Sequence, residues 1–371
     1  MLFPLDPNTP FCNVFEVLNK ELLNFFDKSI NASRFSHYLF TSFNDAGTTK
    51  KSACWTNPST RKKFKDVWDL LPNDNMSRQD IYNQILGSQD IHSFFIDTSR
   101  VLPSFNEALF DALKNLTTHL YIHTKNLADI KKQAGESIED HYQSFIRFNS
   151  KLCWICGTAA LSQNRADIEQ DEQWRADYDH ILCKDKYPTY TVHPGNFIPT
   201  CHICNSKAKG AKNLLVFPRT QLRRKAFYPL APYADSCFQY IKVDVTNSLD
   251  LSEPITSVNL QSVTTSAEVK EKINIWDEVY QISARVKHEL NTSFQTKLIS
   301  TLRPNDFNDF IFQLQRHSTP PLDYKESEWS FWWFRVYEFL NSQDTKFLQL
   351  IWASIEWKIQ NQRDLSKVFN I

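Results

Sequence analysis

Two cysteine pairs, Cys153-Trp-Ile-Cys156 and Cys201-His-Ile-Cys204, constrain this chain more than any other feature of its sequence. Each Cys-x-x-Cys turn aims two thiolates at one point. Two such turns complete the tetrahedral shell of a structural Zn²⁺, whose binding free energy becomes folding free energy. Residues 157–200 separate the pairs, a longer interval than a simple zinc ribbon has, so the loop holds something of its own. The amino-terminal MLFPLDPNTPFC has no basic segment followed by an apolar one, so a cytoplasmic location and reduced thiols are expected. His202 and His193 offer replacement ligands, but four cysteines already close the shell. Cys12, Cys54, Cys183 and Cys237 lack a partner at this spacing and read as small apolar packing residues.

Inside the loop stand Asp179-His180 and Gly195-Asn196, and directly after the last cysteine come Asn205, Lys207 and Lys209. Taken alone, an Asp-His dipeptide reads as a surface acid beside a half-buried imidazole, and an Asn as a helix cap. Their order with the knuckles changes the reading. Cys-x-x-Cys, Asp-His-Ile, Asn, then Cys-x-x-Cys-Asn followed by Lys resembles the HNH endonucleases over roughly residues 150–215. The resemblance implies a ββα-metal module, with two strands carrying Asp-His and Asn and a helix carrying the last motif residue. It implies that Asp179 and Asn205 bind one catalytic divalent cation, that His180 is the general base, and that Asn196 holds the imidazole or its loop in place. Asp at the first position and Asn at the last are family variants of a metal-binding His. The interval from His180 to Asn196 contains Lys184-Asp-Lys-Tyr-Pro188 and reads as a turn with an insertion.

The chemistry agrees with the resemblance. Phosphodiester hydrolysis needs a deprotonated water, and His takes that proton near neutral pH. A hard cation on a carboxylate and an amide oxygen stabilises charge on the departing 3′ oxygen, with Mg²⁺ expected and Mn²⁺ or Ni²⁺ as alternatives. Zinc then holds the geometry rather than reacting. A nucleobase deaminase would need His-x-Glu ahead of Pro-Cys-x-x-Cys, and none of the ten histidines has Glu two residues later.

Charge enters where a substrate is considered. Lys+Arg 42 against Asp+Glu 42 gives a formal net charge of zero, so an electropositive footprint has to be local. Thr200 to Ala234 supplies one: Lys207, Lys209, Lys212, Arg219, Arg223, Arg224 and Lys225 occur there with no acid. Lys207, Lys209, Lys212, Arg223 and Arg224 are the expected phosphate contacts, with DNA as the leading substrate and RNA left open. Asp167, Glu169, Asp171, Glu172 and Asp177 form an acidic approach upstream. Only six glycines occur, and neither G-x-x-x-x-G-K-[ST] nor G-x-G-x-x-G is present, which argues against nucleotide hydrolysis by this chain.

The expected class is α+β, mainly helical, with helical flanks around a small zinc-stabilised ββα-metal module. Residues 1–150 form the first flank, 151–232 the module and 233–371 the second flank, a candidate for target selection or docking. Phe11, Val14, Phe15, Leu18, Leu22, Phe25 and Phe26 recur at helical spacing after Pro10. Ser104-Phe-Asn-Glu107 reads as a capping box ahead of another helix, and weaker helical patterns lie near 61–71, 77–86 and 127–148. Residues 234–245 alternate like a strand, and 268–371 return to helix. The aromatic run Glu328-Trp-Ser-Phe-Trp-Trp-Phe-Arg is weighted to core or interface over base stacking. No stretch has the roughly 20 apolar residues of a membrane helix. The Tyr-Pro, His-Pro-Gly-Asn, Pro-x-Cys-x-x-Cys-Asn pattern at 187–205 resembles effector nucleases of bacterial anti-phage systems, which implies an ATPase partner; a restriction-type homodimer is the parallel expectation. The competing function is a zinc-dependent DNA- or protein-binding module that does not cut.

Overall fold

A computed structural model describes residues 1–163, 165, 174–246, 257–322 and 324–369. The chain is about 54% helical, and among the described residues its sheets are three separate two-stranded antiparallel pairs. Contacts divide it into two units, Pro4–Ser150 with Leu161–Ala234, and Met1–Phe3 with Lys151–Ala160 and Asp235–Ile371. Residues 161–234 therefore cluster with the first helical segment, and the first cysteine knuckle clusters with the second.

The unit that carries the Asp-His and Asn motifs is built on amphipathic helices. The helix Asn13–Ser29 buries Val14, Phe15, Leu18, Leu22, Phe25 and Phe26, while Phe11, read into the same stripe, precedes the helix and is exposed. Each such side chain contributes about 1.5–3 kcal/mol on burial, and truncating Leu18 to Ala would cost about 2–5 kcal/mol. The next long helix starts later than the Ser104 signal predicts. It spans Glu107–Ile122, and Asn106, not Ser104, is the cap, its side chain accepting from Leu109 N at 2.9 Å. Asn is as good a cap as Ser and leaves Glu107 in the first turn, where the helix dipole favours a carboxylate. The pattern at 127–148 resolves into two helices, Ala128–Ala134 and Ile138–Asn149, parted by Gly135 at φ +69°. A capping box between Ser137 and Asp140 restarts the second.

In the other unit only the second half of the alternating segment forms a strand, Ile241–Thr246, paired with Ser257–Ser262, and Phe238–Tyr240 before it is a helical turn. Five helices follow, among them Ser330–Asn341, which buries Phe331, Trp332 and Trp333. Those aromatics are core. The backbone of the first knuckle is an acceptor platform here: Trp276 Nε1 donates to Ile155 O at 2.9 Å and Trp332 Nε1 to Cys156 O at 2.8 Å. Gly157 sits at φ +65°, and a Cβ there would lie 2.8 Å from Leu2 Cδ2, so the turn admits no side chain. No described helix is long and apolar enough to cross a membrane.

Candidate functional site

All four knuckle sulfurs, from Cys153, Cys156, Cys201 and Cys204, lie within 4.8 Å of one another and are buried. Tetrahedral zinc with bonds of about 2.3 Å places its sulfurs about 3.8 Å apart, so the donor set and spacing fit a structural Zn²⁺. Thr158 Oγ1 donates to Cys156 Sγ at 3.2 Å, the kind of outer contact that stabilises a thiolate. The four cysteines outside the cluster are buried as well, and burial pushes the Cys12 and Cys237 thiols up to about 12. Those two thiols are inert packing groups at neutral pH.

The strand Tyr178–His180 pairs antiparallel with Phe197–Pro199, with Asp179 opposite Ile198 and His180 opposite Phe197. A wide helical turn, Ile203–Lys209, follows the second strand and closes with Gly210 N donating to Asn205 O at 2.8 Å. Asp179 and His180 are neighbours on the first strand, and both line the same cleft. Each has its own support. Lys209 Nζ donates to Asp179 Oδ1 at 2.6 Å and also to the His180 carbonyl, tying the helical turn to the strand. His180 Nε2 lies 3.3 Å from Thr191 O. A carbonyl only accepts, so Nε2 carries the proton and Nδ1 the lone pair. Burial, then Lys209, Lys184 and Lys125, hold this imidazole well below the ordinary histidine range and therefore neutral at pH 7. The Tyr121 and Phe197 rings meet its ring edgewise at 4.5 and 4.8 Å.

Asn196 is fully buried, and its carboxamide hydrogen-bonds backbone groups. Its Oδ1 accepts from Leu182 N at 2.7 Å, and its Nδ2 donates to Leu182 O and Tyr190 O at 3.0 and 2.9 Å. It clamps the loop that supplies Thr191, and so acts on His180 through the backbone. Its neighbour Gly195 leaves no room for a side chain, since a Cβ would lie 2.8 Å from the Tyr228 hydroxyl oxygen.

Asp179, His180, Asn205, Lys184, Lys209 and Asp177 line one cleft of about 380 Å³. Asn205 is half-buried, its backbone N–H donates to Cys201 O at 3.0 Å, and its carboxamide makes no hydrogen bond to the described residues. A carboxylate and a carboxamide oxygen suit a hard divalent cation. The Lys209 ammonium already neutralises Asp179, so a cation there would share that carboxylate.

The basic strip divides. Lys209 is spent in the buried ion pair, its side chain 1% exposed. Arg224 is fully buried, donating to Leu214 O and Asn213 O, so its guanidinium serves the fold rather than a phosphate. Arg223 is half-buried and donates to Arg100 O and Phe94 O. Lys207 is exposed and Lys212 half-buried. Of the acidic approach, Asp177 is exposed beside the cleft, while Asp167, Glu169, Asp171 and Glu172 lie outside the described residues. His193 and His202 stay out of the sulfur cluster: His193 accepts from Gly195 N, and its Nε2 donates to Gln89 O. Sequence reading missed Tyr121, Lys125 and Thr191 as site residues. Nothing local marks the first two, which sit on the far side of the first knuckle in the chain. No family model, curated protein or solved structure matches this chain.

Proposed function

We propose that the protein is an HNH-type endonuclease that hydrolyses phosphodiester bonds in DNA, with His180 as general base. The observation that carries the reading is the shared cleft: His180, with Nε2 bonded to Thr191 O and Nδ1 left as acceptor, lines it together with Asp179 and Asn205. Nδ1 is the atom that accepts a proton from water. Asp179 and Asn205 would hold a divalent cation, Mg²⁺ by donor type, which when bound supplies charge stabilisation for the leaving 3′ oxygen. Lys209 and Asn196 position the base and the carboxylate, and the four-cysteine zinc site holds the second knuckle that starts the Asn205 turn. Anti-phage defence or restriction, with an ATPase partner or a second copy, is the setting that the resemblance suggests.

A second reading, a zinc-dependent DNA- or protein-binding module without cleavage, draws support from the Lys209–Asp179 pair, because an ammonium already occupies the carboxylate. One experiment separates the two. Purified protein is incubated with plasmid, single-stranded DNA and RNA, without added metal and with Mg²⁺, Mn²⁺ or Ni²⁺. Metal-dependent cutting that His180→Ala abolishes, with zinc content and fold retained, supports the nuclease; cutting that survives His180→Ala overturns the assignment of the base.

A further inference from the structure

Lys184 and Lys209 line this cleft, and Lys125 and Lys114 border it through Tyr121 and Asp185. Lys209 is paired with Asp179, and Lys114 takes Asp185 at 2.9 Å. Lys125 and Lys184 form no ion pair among the described residues, yet both stand against the Tyr121 ring, Nζ to centroid 4.0 and 5.6 Å. That ring contacts the His180 imidazole at 4.5 Å. Two ammonium groups thus stand against the ring that touches the candidate base, within about 10 Å of each other. Lys125 comes from the turn after the Glu107–Ile122 helix, so the seat is built partly by the helical segment. Asp177 is the carboxylate that faces Lys125, with Arg175 opposing it. Burial brings the Lys125 ammonium down to about 8, the mark of a charge that protein groups compensate incompletely and that a phosphate would stabilise.

We propose that Lys125 and Lys184 seat the phosphates beside the scissile one, so that the cleft selects a nucleic-acid strand over an isolated phosphodiester. The inference rests on the nuclease reading for its substrate but is measured separately from it. Wild type, Lys125→Gln, Lys184→Gln, the double variant and the two Lys→Arg variants are compared as full chains with Mg²⁺. Oligonucleotide binding is measured against salt concentration, and kcat/KM is measured for an oligonucleotide and for bis(4-nitrophenyl) phosphate. Each Lys→Gln change should lower the magnitude of the log–log salt slope by roughly 0.7–0.9 and weaken binding about tenfold. The ratio of oligonucleotide to small-diester kcat/KM should fall at least about tenfold in the double variant, and Arg should restore the slope. Unchanged slopes in folded variants would overturn the proposal, as would equal losses on both substrates. Should wild type cut neither substrate while the slopes still fall as stated, the phosphate seat stands and the nuclease reading fails.

Discussion

Replacing Lys209 with Met tests the central joint of the site. The side chain is 1% exposed and Asp179 is 5% exposed, and the ammonium donates to both Asp179 Oδ1 and the His180 carbonyl. Met preserves most of the volume and removes the charge, so the buried carboxylate loses its Lys209 partner. Breaking a buried pair from one side costs about 3–5 kcal/mol, most of it from the stranded charge. Asp179→Asn strands the ammonium in the same way. The double variant Asp179→Asn with Lys209→Met strands neither, so the cycle should be non-additive by about 2–3 kcal/mol in the relieving direction. Urea denaturation of the zinc-loaded protein at pH 7.5 measures all four corners. Lys209→Met also leaves Asp179 open to a cation, and saturating Mg²⁺ at a hundred times its Kd should return about 2.7 kcal/mol to that variant. A Lys209→Met cost below about 1 kcal/mol, or strict additivity, would refute the argument that this pair fixes the strand to the helical turn.

Other expectations follow from the same geometry. Mass spectrometry under native conditions should find one zinc per chain, and Cys201→Ser or Cys204→Ser should lose the ion and lower the unfolding temperature; full stability without metal would contradict the cluster. His193 is held down to about 4 by burial, below its unfolded value of about 6.5, so the unfolded chain binds the proton first. Its contribution is fully present above pH 6.5 and is lost as pH falls from there toward 4, up to about 3 kcal/mol; denaturation midpoints for His193→Gln should fall less steeply across that window than those of wild type. Asn196→Ala should lower kcat rather than raise KM, because it frees the loop that supplies Thr191 without touching substrate; an intact kcat in a folded variant would remove the loop clamp from the mechanism.

Helical stripes were legible because apolar period survives whatever the helix packs against: Val14, Leu18 and Leu22 face the core wherever that core is. The knuckles were legible too, since each motif is local and their four sulfurs meet; the strand expected to carry Asn196 begins one residue after it, at Phe197, and leaves Asn196 in the preceding turn. Charge was not. Lys209 and Arg224 look like neighbours of Lys207 and Arg223 in a uniform basic strip, but the first enters a buried ion pair and the second is swallowed by backbone carbonyls. A sequence gives a charge its sign and withholds its burial. Tyr121 and Lys125 show a second limit, because only the folded chain carries them to His180 across the intervening segment. The Ser104 cap failed for a smaller reason: Ser104 and Asn106 are both competent, and two residues of offset decide which one the helix uses.

The ten residues Lys151–Ala160 answer to a different part of the chain from their sequence neighbours. Two indoles, Trp276 and Trp332, find their acceptors on Ile155 and Cys156, so a fragment that begins at residue 233 is born with both N–H groups orphaned in its interior. Deletion mapping across that boundary would then score collapse as lost activity, and only point substitutions can apportion roles between the two parts.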